Sequence, residues 1–157
     1  MKQFQGEMLV ASTFEANSSV QGCALVLAEP LSLWGGLNPE TGEIIDRRHP
    51  SSGTIVTDRL LVMPSGRGSS SASSILLEAV AAKTAPCAII MTERDGMLAL
   101  GAAVAREMYG WTPPVLMVDT AQYKSIVDGA EITVKDDGWI TAHPTPDRPT
   151  HSGQNLA

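Results

Sequence analysis

The segment Arg59–Ser74, RLLVMPSGRGSSSASS, decides how this chain builds its fold around a possible site. Its first part, Leu60–Met63, is apolar throughout and predicts a buried strand. Pro64 and a turn rich in glycine and serine follow, and the apolar-periodic run ILLEAVAAK then predicts a helix over Ala72–Lys83. In such an arrangement the first N–H groups of the helix have no helical partner and point into the turn. The segment therefore predicts a pocket for a carboxylate or a phosphate.

The turn also supplies the residue types that an anion site needs. Gly66 and Gly68 let the backbone approach a ligand because no Cβ stands in the way, and Arg67 adds a positive charge. Hydroxyl groups come from Ser65, Ser69, Ser70 and Ser71. A serine in this place can also take part in chemistry. A serine-rich cap that does no more than begin the helix fits the same residues, so the turn alone leaves both interpretations open.

Two common nucleotide-binding patterns do not fit this turn. A Walker loop needs Gly-Lys-Ser or Gly-Lys-Thr, and neither follows the glycines. The dinucleotide fingerprint would place its third glycine at position 71, which is Ser71. The turn therefore belongs to neither of these two classes.

The composition excludes several classes of partner. A length of 157 residues suits a single domain with a real core. The net charge of −6 comes with no basic stripe for nucleic acid and no polybasic patch for a membrane surface. The first residues, MKQFQGEMLVAST, lack the layout of a signal peptide, and no apolar run reaches membrane-spanning length. We therefore expect a cytoplasmic protein.

Cysteine is sparse in this sequence. Cys23 and Cys87 lie far apart, each inside an apolar segment, which predicts two buried thiols that behave as small hydrophobic side chains. No Cys-x-x-Cys motif or Cys/His cluster is present. We therefore do not expect the chain to hold an iron–sulfur cluster or a structural zinc ion by itself.

The order of the predicted elements indicates an α/β fold. The predicted strands and helices are Met8–Ser12, Cys23–Ala28, a possible short strand at Glu43–Ile45, Leu60–Met63, Ala72–Lys83, Cys87–Met91, Gly96–Tyr109, Val115–Val118, Thr120–Ile126, Glu131–Val134 and Trp139–Ala142. The alternation in the middle is typical of a parallel sheet with crossover helices, and the flanking strands would form a second sheet. We predict a layered β/β/α domain over residues 1–142 and a Pro-rich, flexible tail over residues 143–157. The long loop Pro30–Gly53 carries enough apolar residues to be ordered.

The loop and the turn together give the chain a resemblance to the small, swivelling-domain subunit of the aconitase X family. The matching segments are PLSLWGGLNPETGEIIDRRHPSSG from Pro30 and LLVMPSGRGSSSASSILLEA from Leu60, with a looser match over APCAIIMTERDGMLALGAAVAREMYGWTPPVLMV. Together they cover about Pro30 to Val118, and the two motifs in this order are far more specific than either alone.

The resemblance implies a fold like the mobile fourth domain of aconitase and a role in a two-chain hydro-lyase. The large subunit of such an enzyme carries the iron–sulfur cluster, whereas the small subunit brings a serine to the active site. The implied reaction is dehydration of a small hydroxy acid, either cis-3-hydroxy-L-proline, which the serine run slightly favours, or mevalonate 5-phosphate. The chain alone would then have no dehydratase activity.

The resemblance also assigns roles to the residues of the turn. It places the proton-accepting serine at Ser69, with Ser65 as the second choice. Ser70 and Ser71 would cap the helix or bind the substrate carboxylate, and Gly66 and Gly68 would shape the turn. Arg67 would be an anion contact or a surface ion pair. In the loop, Trp34–Gly36 would line the site or, as we prefer, pack against the large subunit.

A different class of function stays open beside this one. Swivelling domains also serve as anion-binding or phosphocarrier modules without lyase activity. A phosphocarrier would need a histidine in its glycine-rich turn, but that turn holds serines and an arginine. His49, in the long loop, is the residue whose phosphorylation would support this alternative, although a histidine in a loop is more often structural.

Overall fold

The computed structural model of the protein describes residues 1–66 and 71–144. The strands are β1 (Lys2–Gln5), β2 (Glu7–Val10), β3 (Ser19–Val26), β4 (Leu37–Asn38), β5 (Glu43–Ile44), β6 (Leu60–Val62), β7 (Ala88–Met91), β8 (Val115–Met117), β9 (Glu131–Lys135) and β10 (Trp139–Ala142). The helices are α2 (Ala72–Ala82), α3 (Gly96–Tyr109) and α4 (Thr120–Ser125). The segment α1 (Leu33–Gly36) is a short turn whose two inner residues, Trp34 and Gly35, do not have helical backbone angles.

Strand β3 joins two regions of sheet with different pairing. Its first part, Ser19–Cys23, pairs antiparallel with β9, and Ala24–Val26 pair parallel with β6. On the antiparallel side, β9 pairs with β10 and β10 with β1. On the other side β6, β7 and β8 run parallel, and β2 closes the edge as an antiparallel strand. Hydrogen bonding is therefore continuous through the order β1-β10-β9-β3-β6-β7-β8-β2.

Two hydrophobic cores separate the layers of the fold. One core joins α2 and α3 to one face of the parallel strands and includes Leu61, Leu76, Ile89, Leu98 and Val115. The other core joins the opposite face to the antiparallel strands and includes Leu60, Ile90, Leu116, Ile132 and Ile140. Neighbouring residues of a strand enter different cores because side chains alternate across a sheet. The predicted α/β class, with β/β/α layers and crossover helices, is confirmed. The flanking strands do not form a separate sheet, because β3 pairs with both β9 and β6 and β2 pairs with β8.

The helices follow the sequence prediction closely. Helix α3 begins and ends where it was predicted, with Asp95 as its N-cap and Gly110 in the left-handed conformation at its end. Helix α4 begins with a capping box in which Asp119 and Gln122 exchange hydrogen bonds. Helix α2 ends one residue earlier than predicted, because Lys83 adopts a left-handed φ of 61°.

Strand β1 and the early start of β3 were not predicted. The residues of β1, KQFQ, are mostly polar and exposed, so their strand state depends on pairing with β10. Strand β3 begins at Ser19, four residues before its predicted start, because β9 pairs with this polar part. The predicted tail begins at His143, whose amide still donates to Glu131 O at 2.9 Å. Residues 145–157 of that tail lie outside the described residues.

The loop Pro30–Gly53 is folded against the helical layer. Its aliphatic side chains are buried in the same core as α2 and α3: Leu31, Leu33, Leu37 and Ile44. Strands β4 and β5 pair inside the loop, which confirms the short strand expected at Glu43–Ile45. The loop is therefore an ordered part of the domain, as its apolar residues predicted.

The two cysteines are less buried than predicted. Cys23 and Cys87 are both half-buried free thiols, so the prediction of full burial was wrong. Cys23 lies on β3, where its thiol donates to Gly129 O at 3.3 Å. Cys87 comes directly before β7 and packs so closely on Gly22 that a side chain at position 22 would overlap its sulfur.

Burial nevertheless changes the chemistry of Cys87. Desolvation raises the pKa of the Cys87 thiol to about 11, with smaller contributions from nearby carboxylates. We expect the alkylation rate of Cys87 in a Cys23→Ser variant to keep rising through pH 10 and to reach half its maximum near pH 11. Mass-spectrometric iodoacetamide labelling against pH measures this rate. A plateau by pH 9 would contradict the prediction.

Candidate functional site

The serine turn, residues 63–71, lies at the carboxyl edge of the parallel strands. It leaves β6 after Val62 and enters α2 through Ser71, the N-cap residue of that helix. The end of β7 anchors the start of the turn, because Thr92 donates to Pro64 O from both its amide (3.1 Å) and its hydroxyl (2.8 Å). Open α/β sheets bind their ligands at this edge. The fold therefore places the turn where a site is expected.

The described part of the turn holds three of the predicted site residues. Ser65 and Gly66 follow Pro64 and are both half-buried, and Ser71 begins α2. The carbonyl of Ser71 accepts a hydrogen bond from the Ser74 hydroxyl at 2.8 Å. The remaining predicted residues, Arg67, Gly68, Ser69 and Ser70, lie outside the described residues, so their roles stay predictions.

Asp95 is a residue of this site that the sequence analysis missed. Its Oδ1 accepts hydrogen bonds from the amides of Met97 (3.1 Å) and Leu98 (3.0 Å), which fixes the carboxylate at the start of α3. Its Oδ2 faces Gly66 so closely that a Cβ at position 66 would overlap it. An aspartate before a glycine and an apolar run is a helix-start signal, but that signal does not reveal the contact with the serine turn.

An acidic pocket lies between the serine turn and the start of α3. It measures about 270 Å³ and is lined by Ser65, Gly66, Glu93, Arg94, Asp95, Gly96 and Met97. Arg94 donates to Glu7 at 2.6 Å, which draws its charge toward β2. The carboxylates of Glu93 and Asp95 therefore oppose an anion beside Ser65. This pocket makes Ser65 a poor choice for a serine that must lose its proton.

A second pocket is lined by residues of the long loop and by Glu29. It measures about 360 Å³ and is lined by Glu29, Pro30, Ser32, Trp34, Gly35, Gly36, Asp46, Arg48 and His49. Trp34, Gly35 and Gly36 all line this pocket, and their two predicted roles stay predictions. The carbonyl oxygen of Leu31 lies 4.0 Å from the position that a Cβ at residue 66 would occupy, so the loop and the turn are neighbours.

His49 is a structural residue of the loop. Its side chain is buried, with 5% exposed. The Ser51 amide donates to Nδ1 at 3.0 Å, so Nδ1 carries no proton and Nε2 donates to Glu29 O at 3.2 Å. Both ring nitrogens are therefore occupied by backbone groups, and neither is open to a phosphoryl group. This geometry disfavours the phosphocarrier alternative.

The cap at Asp95 gives a testable prediction. We expect Asp95→Ala to lower the free energy of unfolding by about 1 kcal/mol, because two amide donors at the start of α3 lose their acceptor. Asp95→Asn is the matched control, because asparagine caps helices as well as aspartate does. Urea unfolding followed by circular dichroism measures both variants. Equal losses in the two variants would show that the charge, and not the cap, stabilises this region.

Two absences apply to the described part of the chain. Within residues 1–66 and 71–144, no three His, Cys, Asp or Glu side chains come together in a way that could hold a metal ion. In the same residues, no helix has the length and apolar character needed to cross a membrane.

Comparison with known proteins identifies the family to which this chain is similar. The sequence model of the aconitase X swivel domain matches residues 4–142. The cis-3-hydroxy-L-proline dehydratase of Pseudomonas aeruginosa is 45% identical over 108 residues, which are 69% of this chain and 18% of that protein. The phosphomevalonate dehydratase small subunit of Thermococcus sibiricus is 39% identical over 106 residues, which are 68% of this chain and 78% of that subunit.

The fold is also that of a solved structure. A crystal structure of Thermococcus kodakaraensis aconitase X in its holo-form superposes with a TM-score of 0.78 at 26% identity, covering 92% of this chain and 100% of that one. The chain spans less than a fifth of the hydroxyproline dehydratases that it matches. The match of the family model to nearly the whole described chain shows that this protein belongs to the aconitase X family, as its swivel domain.

Proposed function

We propose that this chain is the swivel-domain subunit of a two-chain aconitase X hydro-lyase, with Ser69 as the proton acceptor and residues 1–142 as the functional domain. The observation that carries the proposal is the position of the serine turn. It follows β6 at the carboxyl edge of the parallel sheet and leads directly into α2. The turn that contains Ser69 in the sequence therefore begins and ends at the edge where open α/β sheets bind their ligands, which supports the proposal.

The proposed reaction is the loss of water from a small hydroxy acid. Ser69, as its alkoxide, takes a proton from the carbon next to the one that bears the hydroxyl group. The two electrons of that C–H bond form the new double bond, and the hydroxyl group leaves with its own bonding pair. Amide donors at the start of α2 and the charge of Arg67 favour the anion that this step needs.

The other residues of the turn hold the substrate in this proposal. Ser70 and Ser71 donate to the substrate carboxylate, and Gly68 leaves room for it. Gly66 shapes the turn, because Asp95 Oδ2 takes the space that a side chain at position 66 would need. Ser65 faces the acidic pocket of Glu93 and Asp95, and we therefore place it at the border of the site. Asp95 supports the turn through its contact with Gly66.

A partner chain completes the proposed enzyme. The iron–sulfur cluster of an aconitase X enzyme would supply a Lewis acid for the leaving hydroxyl group. We assign the cluster to a large subunit, as the resemblance to the aconitase X family implies. The swivel domain then binds, orients and deprotonates the substrate.

We propose cis-3-hydroxy-L-proline as the substrate and mevalonate 5-phosphate as the second candidate. We prefer the first substrate because the chain is 45% identical to the Pseudomonas aeruginosa dehydratase and 39% identical to the Thermococcus sibiricus subunit. Both substrates carry the carboxylate that the turn would bind.

Reconstitution tests the proposal. The chain is mixed anaerobically with the large aconitase X polypeptide of the same organism, and each substrate is assayed for release of the dehydrated product. We expect activity with the mixture and none with either chain alone. A complex that forms and dehydrates mevalonate 5-phosphate alone would reverse the choice of substrate. A chain that binds no large polypeptide and retains a small anion would favour the stand-alone binding module.

A further inference from the structure

We propose that four exposed residues of the long loop, Trp34, Ile45, Arg47 and Arg48, form a docking surface for the large aconitase X subunit. We call these residues the Trp34 patch. The inference rests on the proposed function and names the surface through which the two chains meet.

The Trp34 patch exposes large apolar side chains beside positive charge. Trp34 is 57% exposed and Ile45 is 43% exposed, although both belong to a loop whose other aliphatic side chains are buried. The Ile45 amide donates to Gly36 O at 2.8 Å, which joins the segment of Ile45 to the turn that carries Trp34. Arg47 and Arg48 are exposed and form no ion pair with any described residue. Tryptophan and arginine are the residue types that carry most binding energy at protein interfaces.

The loop holds Trp34 in a fixed position. Trp34 (φ −68°, ψ 116°) and Gly35 (φ 75°, ψ −10°) have the angles of a type II turn, which needs glycine at its second central position. Leu33 and Gly36, on either side, are buried. His49 ties the end of the loop to Glu29 O and to the Ser51 amide. An anchor that is ordered before binding loses little entropy when a partner covers it.

The Trp34 patch also lies beside the proposed active site. Trp34 and Arg48 line the 360 Å³ pocket with Glu29, which follows the end of β3 at the same sheet edge as the serine turn. Leu31 O approaches Gly66 across the border between loop and turn. A partner that brings a cluster to the serine turn therefore also meets this side of the loop.

Two observations favour the large subunit as the occupant. In the Pseudomonas aeruginosa relative the matched segment is 18% of the protein, so more than four-fifths of that protein is available to cover this domain. The charge of the patch is also opposite to that of the whole chain, whose net charge is −6. A second copy of an acidic chain is repelled over most of its surface, whereas an apolar pocket with acidic residues at its rim suits the patch.

Titration calorimetry with the large polypeptide of the same organism tests the Trp34 patch. We expect Trp34→Asp to weaken the complex about 30-fold or more and Trp34→Ala about tenfold or more. The double variant Arg47→Glu/Arg48→Glu should slow association at low salt. Because these side chains are exposed, the circular dichroism spectrum and the midpoint of thermal unfolding should stay unchanged.

Met108→Asp is the matched control. Met108 is 59% exposed, but it lies in α3 roughly 18 Å along the helix from Gly96, so binding should change less than about twofold. Wild-type binding by Trp34→Asp, or equal weakening in Met108→Asp, would overturn the patch while the proposed function stands. If the wild-type chain binds no large polypeptide but sediments as a dimer that Trp34→Asp dissociates, both proposals fail and the patch joins two copies.

Discussion

Replacing Ser69 by alanine is expected to lower kcat of the assembled dehydratase by about 10²–10⁴-fold, because alanine cannot accept the substrate proton. The value of KM should change little, since the carboxylate contacts of the turn remain. Steady-state kinetics of the reconstituted complex measures both constants. Binding of the large subunit, measured separately, should be unchanged, which separates a chemical defect from a failure to assemble.

Two further serine variants make this result decisive. Ser65→Ala should retain activity within about tenfold, because Ser65 lines the same pocket as Glu93 and Asp95, whose negative charges make it a poor base there. Ser74→Ala should stay close to wild type, because Ser74 is exposed and its hydroxyl donates to the carbonyl of Ser71 within α2 and its N-cap. If Ser69→Ala keeps full activity and Ser65→Ala is inactive, the base is Ser65 and not Ser69.

Replacing Gly101 by alanine is expected to lower the free energy of unfolding by about 1–3 kcal/mol. Alanine in the middle of a helix normally stabilises it by about 1 kcal/mol relative to glycine. Here a Cβ would lie 2.8 Å from both Cα and O of Ser73, which are backbone atoms of α2. The two helices must separate to admit it, and this movement shifts the start of α2, which follows the serine turn. Urea unfolding of the variant measures the loss.

Gly96→Ala is the control for this prediction. Gly96 begins the same helix, but a Cβ there would meet no atom within 4 Å. Its stability should stay within about 0.5 kcal/mol of wild type. If Gly101→Ala is as stable as Gly96→Ala, the close crossing of α2 and α3 is not a constraint. We also expect reduced dehydratase activity in Gly101→Ala, and not in Gly96→Ala, after reconstitution.

Local sequence determined the helices, most of the strands and the place of the serine turn. Helix α3 could be predicted to the residue because its apolar positions, the aspartate before it and Gly110 after it are all local signals. The strand–turn–helix order around Pro64 follows in the same way from composition and periodicity. The loop and turn motifs also led to the family, since their order in the chain is itself the evidence.

Tertiary structure decided the features that depend on distant partners. The mostly polar residues of β1 form a strand only because they pair with β10. Strand β3 pairs antiparallel with β9 along its first part and parallel with β6 along its second part. The overlap that a side chain at Gly66 would have with Asp95, and the contact of Gly101 with Ser73, each join residues about 30 positions apart. Such contacts depend on register and helix packing, which no local pattern encodes. For this reason the sequence could propose a serine of the turn as the base, but only the fold showed that Asp95 and the loop residue Leu31 lie beside Gly66.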